Sequence, residues 1–275
     1  MLTNVLLIGG AGFIGGHLKN KLESNGTTVD VIDKKHGKNI LDEYALVADR
    51  EYSHVVFLAA EANLRAVKRN PVDAIKTMTV GLMNCLKYYS DSHFTYISSS
   101  MVYGNWAGDS VSENDARAPI DLYGQLKLAG EGIVKELHSN YTIIRPTAVY
   151  GPGDDPTRVL PHFINLARQN QILTVKGSNN MLDFTHVDDI IQGIILGMNR
   201  PKYSTGVYNI SYGNAVPLET VAKYITKCLG TGSVKVDPLD LEYPKRGSMN
   251  ITKARTELGY KPTTHVFDGI NELLS

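Results

Sequence analysis

The sequence predicts an α/β fold, a doubly wound parallel sheet followed by a small C-terminal lobe. Three observations lead there. Short apolar runs alternate with amphipathic stretches through the first half, the pattern of βαβ units. A glycine-rich turn joins the first apolar run to the first amphipathic stretch. Beyond "GPGDDP" (151–156) the regularity loosens, with Gly, Pro and Asp marking loops.

Taken in order, "NVLLIG" reads as a strand, "GFIGGHLKNKLES" as a helix stopped near Gly26, and "TVDVID" as a second strand. "HVVFLAA" (54–60) and "HFTYISSS" (93–100) are further strands. Between them "PVDAIKTMTVGLMNCLKYY" is a helix that starts at Pro71, where a missing N–H costs least. "LYGQLKLAGEGIVKELH" is a long helix and "YTIIRPTAVYG" the strand after it. "VDDIIQGIILGMN" then reads as a helix, "GVYNIS" as a strand and 217–229 as a last long helix.

The 275 residues can bury a sizeable core, and 43% apolar with 20% charged residues is an ordinary globular balance. Twenty-eight basic residues against 28 acidic ones argue against a nucleic-acid-binding surface. Cys85 and Cys228 cannot form a disulfide framework, which points to the cytosol. A strand that begins by Leu2 leaves no room for a signal peptide, and no apolar run approaches the roughly 18 residues a membrane span needs. No membrane partner and no metal are expected.

"LLIGGAGFIGGHL" sets Gly9, Gly12 and Gly15 between strand and helix. Side chains there would block the backbone from approaching a pyrophosphate, and the helix N-terminus supplies free N–H groups. Asp33 ends the second strand 18 residues after Gly15, where a carboxylate can accept both ribose hydroxyls of an adenosine. It favours NAD over NADP by repelling a 2′-phosphate, with Lys34 and Lys35 pulling the other way.

Tyr123 and Lys127 form the chain's one Tyr-x-x-x-Lys pair and share a helix face. A tyrosine with its ordinary pKa near 10 is a poor base. A nearby ammonium and the nicotinamide charge would favour the phenolate, and lowering the pKa by about three units corresponds to roughly 4 kcal/mol. Such a tyrosine can take a proton from a sugar hydroxyl as hydride leaves the same carbon.

The ordered set "GGAGFIG", "VVFLAA", "ISSSMVYG", "YGQLK", "RPTAVYGPGD", "DFTHVDD", "YNIS" and "ITKARTELGYKP" resembles the extended short-chain dehydrogenases/reductases. Within them it is most similar to the NAD-dependent epimerase/dehydratase family that acts on nucleotide sugars. The resemblance implies a Rossmann domain of about seven parallel strands over 1–150, with 186–212 returning to it. A substrate lobe would comprise 151–185 and 213–275. It places cofactor contacts at Gly9, Gly12, Phe13, Ile14, Gly15, Asp33, Asn39, Ile40, Leu58, Ala59, Ala60, Tyr123 and Lys127.

By the same resemblance the catalytic hydroxyl stands four residues before the tyrosine of "VYG", at Ser99, beside Tyr123 and Lys127. Dehydrating members carry Asp-Glu at the next two positions and decarboxylating members keep the glutamate. Here these are Ser100 and Met101, and a thioether cannot transfer a proton. That leaves hydride transfer with one acid/base, which means epimerisation or simple reduction or oxidation; the leading reading is epimerisation at C4 of a UDP-hexose through a 4-keto sugar. A nucleotide keto-sugar reductase and a non-catalytic dinucleotide-binding protein are the alternatives.

Three family positions differ: Leu182 replaces an arginine that meets the substrate diphosphate, and Ala148 and Met78 replace asparagines. A nucleotide-diphosphate sugar still needs cations, and Arg158, Arg168, Lys245 and Arg246 are the candidates. Substrate contacts are therefore expected at Ser99, Ser100, Met101, Tyr123, Arg158, Lys245 and Arg246. Ser98 is expected to cap backbone, and Asp183, His186 and Asp188 to tie helix to strand. The resemblance also implies a homodimer built on helices 72–90 and 122–138.

Overall fold

A computed structural model describes residues 2–47, 50–61, 64–177, 180–201, 203–238 and 244–275. Strand β1 (Asn4–Ile8) is followed by helix α1 (Phe13–Ser24), β2 (Thr28–Ile32) and β3 (His54–Phe57). Short helices α2 (Leu64–Arg69) and α3 (Pro71–Ile75) lead through a π-helical turn, Lys76–Val80, into α4 (Gly81–Tyr88). Next come β4 (His93–Ile97), the short β5 (Ser110–Val111), the long α5 (Leu122–Leu137), β6 (Tyr141–Pro146) and β7 (Val149–Tyr150).

The second half contains α6 (Val159–Arg168), β8 (Ile172–Lys176), β9 (Met181–Leu182), β10 (Thr185–His186) and α7 (Val187–Met198). It continues with β11 (Thr205–Ile210), β12 (Val216–Pro217) and α8 (Leu218–Leu229). β13 (Ser233–Asp237), β14 (Ser248–Met249) and α9 (Val266–Leu274) complete it.

Six parallel strands form the central sheet in the order β11-β6-β4-β3-β1-β2. Side chains alternate across it: Val5 and Leu7 of β1 enter the core cluster that contains α7, while Leu6 and Ile8 enter the one that contains α4 and α5. Burying each such side chain contributes about 1.5–3 kcal/mol, so the two-sided burial fixes the strand's register. After β1 the chain first adds β2 on one side and then returns to build β3, β4 and β6 on the other. The reversal opens a crevice beyond the C-terminal ends of β1 and β3, the place where such sheets bind ligands.

The sheet has six strands among the described residues where about seven were expected. β11 is its edge, because the next residues are drawn away by a buried carboxylate. Asp183 accepts hydrogen bonds from Ser211 Oγ at 2.8 Å, Gly213 N at 3.1 Å and Met249 N at 2.9 Å. His186 caps α7 through Asp188 N at 3.3 Å. Beyond this knot a third apolar cluster forms around Leu160, Phe163, Leu173, Val221, Ile225 and Ile270. There the parallel pair β8–β13 packs against α6 and α8.

Candidate active site

The turn after β1 brings the backbone of the glycine loop against the end of β3. Gly9 has φ +80°, and a Cβ on it would lie 2.6 Å from Ala59 N. At Gly12, the N-cap of α1, the same construction meets nothing closer than Gly9 O at 3.5 Å. That side of the loop is thus open, and no side chain caps the helix N-terminus. Such a cradle of unfilled space over free N–H groups suits a pyrophosphate. Asp33 steadies it: one carboxylate oxygen accepts from Ala11 N at 3.0 Å and the other from Lys35 N at 2.9 Å. Each oxygen keeps a further lone pair for a ribose hydroxyl. The loop, the helix end and Asp33 together fit a dinucleotide.

The serine strand meets α5 across a close approach. Asp121 starts that helix by accepting from Gly124 N at 2.8 Å, and a Cβ at Gly124 would sit 2.6 Å from Met101 O. Glycine there lets the first turn of α5 lie on the Ser100–Tyr103 turn, which brings Tyr123 close enough to Ser99 for that hydroxyl to lower its pKa. Ser99 Oγ also accepts from Met101 N at 3.2 Å. The capping role expected of Ser98 is therefore taken by Ser99, because Ser98 instead donates to Glu131 at 2.6 Å.

Burial dominates the titration of Tyr123 and raises its pKa; the Arg158 guanidinium and the Ser99 hydrogen bond push it back down. Lys127 is only 2% exposed, and burial pulls its ammonium down to about 7 against the opposing pull of Glu131. Its Nζ donates to Ile97 O at 2.6 Å and lies 5.8 Å from the centre of the Tyr123 ring. The nearby cation that favours the phenolate is thus Arg158, a part the sequence did not assign to it.

One cleft of about 1280 Å³ joins these parts. Its cofactor end is lined by Gly9, Gly12, Phe13, Ile14, Gly15, Asp33, Ile40, Leu58, Ala59 and Ala60. Ser99, Ser100, Met101, Tyr123 and Lys127 form its middle, and Arg158 and Arg246 also face it. Three expected residues stand outside its lining. Asn39 closes its own turn by accepting from Leu41 N at 3.1 Å. Lys245 is exposed, with its backbone N–H bonded to Asn105. Arg168 points to the carbonyl of Leu273 at 3.3 Å.

The altered positions have structural consequences. Met78 is buried with Val67, Ala74 and Leu126 beneath Tyr123, so an apolar plug occupies the place of an asparagine. Ala148 is held at φ +37°, a left-handed conformation that asparagine tolerates better than alanine. Leu182 lines the cleft without a charge; Lys176 lies on the same cleft wall. Lys176 was not singled out from the sequence, although the alternating burial of Ile172–Lys176 follows the alternation of "ILTVK".

Known proteins carry the same architecture. Over 326 residues the chain is 27% identical to UDP-glucuronate 4-epimerase 4 of Arabidopsis thaliana, covering 98% of this chain and 74% of that one. It is 29% identical to Protein CapI of Staphylococcus aureus, with 98% and 97% covered. The crystal structure of UDP-glucose 4-epimerase with UDP-glucose from Thermotoga maritima superposes with a TM-score of 0.90 at 25% identity, covering 99% and 100%. The Epimerase family model, described as the NAD dependent epimerase/dehydratase family, matches residues 5–211, and the chain belongs to that family.

Proposed function

We propose that the protein epimerises a nucleotide-diphosphate sugar, a UDP-hexose at C4, with NAD held by the glycine loop and Asp33. The observation that carries this reading is the convergence of Ser99, Tyr123 and Lys127 on the cleft of the glycine loop, with Ser100 and Met101 beside them. Bound NAD supplies the acceptance of a hydride from the sugar carbon and its return. Tyr123 takes the proton of the C4 hydroxyl and later gives it back, and Ser99 steadies the same oxygen. Arg158 favours the phenolate, and Lys127 holds the end of β4 while adding positive charge below the ring.

At the two positions after Ser99 neither side chain carries a carboxyl group to protonate a leaving hydroxyl, which favours epimerisation over dehydration here. Relatives named as UDP-glucuronate and UDP-glucose 4-epimerases support reaction at C4. Arg158 and Arg246 are the proposed partners of the substrate's negative charge.

In this reading 1–150 with 186–212 form the NAD-binding domain, and 151–185 with 213–275 the substrate lobe. Exposed Val72, Ile75, Val80 and Met83 along the helix 71–88, with Leu137 on α5, suit a homodimer interface. Two free cysteines, one buried and one exposed, suit the cytosol, and no helix of the described residues is long and apolar enough to cross a membrane. Incubating the protein with UDP-glucose, UDP-galactose, their N-acetyl forms and the uronic acids, and following the sugar signals by NMR, tests the activity. Conversion to C4 epimers without net absorbance change at about 340 nm is expected; if none of these sugars changes, reduction of a nucleotide 4-keto sugar with consumption of an equivalent of added NADH makes the protein a reductase.

A further inference from the structure

Behind the cleft lies a buried ionic network that no proton-transfer step uses. Glu131 is 1% exposed, one helical turn beyond Lys127 on α5. Its two carboxylate oxygens accept from Arg145 Nε at 2.8 Å and Nη2 at 2.7 Å, a fork-to-fork pair. The oxygen that meets Nε also accepts from Ser98 Oγ at 2.6 Å. Arg145, fully buried on β6, uses its remaining nitrogen on Tyr103 Oη at 2.7 Å and Glu113 O at 3.3 Å. Tyr103 in turn donates to Asn209 at 2.7 Å. The network therefore joins α5, the end of β4, the turn after Ser99, β6 and β11.

An ion pair so deep is a poor source of stability, since desolvating both charges offsets their attraction. Its placement suggests another role. Ser98 and Ile97 flank the approach to Ser99, and both are held from α5, one by Glu131 and the other by Lys127. We propose that Glu131 is a positioning residue for Ser99, Tyr123 and Lys127. Its carboxylate ties the serine-bearing end of β4 to α5 and sets a negative charge one helical turn from the Lys127 ammonium.

The groups that face the pair are few. Around Lys127 stand the rings of Tyr96 and Tyr123 at 5.3 and 5.8 Å and the carboxylate of Glu131. Around Glu131 stand Arg145, Ser98 and, at 3.9 Å, the ammonium of Lys135. Burial draws Lys127 toward neutrality, down to about 7 with Glu131 already opposing that drift. Without Glu131 the unbalanced charge of Arg145 would add to it.

The inference rests on the proposed proton-transfer site, so its test includes a readout independent of turnover. Lysine labelled with ¹³C at Cε is titrated by NMR in the wild type and in Glu131→Gln, with Lys127→Met to assign the signal. The Lys127 midpoint should fall by about one pH unit, a tenfold change in its protonation constant, and the alkaline limb of kcat should move with it. An unchanged midpoint overturns the proposal. Ser98→Ala leaves the ion pair whole and covers the case in which the glutamine variant does not fold. It should lower kcat about tenfold with KM and the Lys127 midpoint unmoved, and an unchanged kcat overturns the tie. If the wild type converts no nucleotide sugar, the proposed function fails, while the lysine midpoint still decides whether Glu131 governs Lys127.

Discussion

The ammonium of Lys127 on α5 donates to the carbonyl of Ile97 at 2.6 Å, so this lysine anchors the strand that leads to Ser99. Its burial sets two properties against each other. A buried ammonium drawn down to about 7 binds its proton less readily in the folded chain than in the unfolded one. Between about pH 7 and 10.5 the unfolded chain therefore holds more protons, and stability rises with pH across that window. Lys127→Met should abolish that rise in urea midpoints and lower kcat by at least about a hundredfold, the scale of a lost acid/base partner.

Arg158 offers a separate handle on the tyrosine. Burial raises the Tyr123 pKa, while Arg158 and then Ser99 lower it. Arg158→Gln removes the larger of those two opposing effects, so the acid limb of kcat should shift to higher pH. Arg158→Lys, which keeps the charge, should undo most of that shift.

The glycine loop separates packing from binding. Gly9→Ala forces a Cβ to within 2.6 Å of Ala59 N at a left-handed φ and should destabilise the fold by several kcal/mol. Gly12→Ala has ordinary backbone angles and meets nothing closer than 3.5 Å. It should leave the urea midpoint nearly unchanged while weakening NAD binding at least about tenfold in calorimetric titration, since its methyl enters the space over the helix N-terminus.

Ala148 stores strain beside the site. Its φ of +37° costs about 1–2 kcal/mol for an L-residue, and glycine relieves that at an entropic cost of about 0.5–1 kcal/mol. Ala148→Gly should therefore be neutral to about 1 kcal/mol stabilising in denaturant unfolding, where an alanine substituted for most native residues is destabilising.

Acid sensitivity should come from the start of β4, at the end of the sheet away from the cleft. His93 is buried between Asn140 at 3.1 Å and Thr142 at 3.0 Å, and burial, reinforced by His54, pulls its pKa from about 6.5 to about 4. The unfolded chain holds more protons between those values, so stability falls as pH drops through that window. His93→Gln should flatten the loss seen between pH 6.5 and 4 in urea titrations.

What the sequence revealed is what local spacing encodes. Gly9, Gly12 and Gly15 lie within one turn, and Tyr123 and Lys127 on one helix face, so their chemistry is readable before any contact is known. The place of Asp33 beside the glycine loop was legible because it ends the strand next to β1. Glu131 was not, because its role depends on Arg145 and Ser98 from two other strands. The same holds for the sheet's edge at β11, decided by Asp183 gripping Gly213 and Met249. Asn39, Lys245 and Arg168 show the converse: each stands in an expected segment yet lies outside the cleft lining, a placement that depends on contacts such as those of Asn39 with Leu41 and Arg168 with Leu273.

The most direct test of the central reading follows one atom. A UDP-hexose deuterated at C4 is incubated with the protein in ordinary water, and the product is analysed by NMR and mass spectrometry. Hydride removal and return within one closed cleft predicts a C4 epimer that keeps its deuterium, with no NADH accumulating. Epimer that has exchanged its deuterium for solvent hydrogen, or a keto sugar released with an equivalent of reduced cofactor, would contradict it.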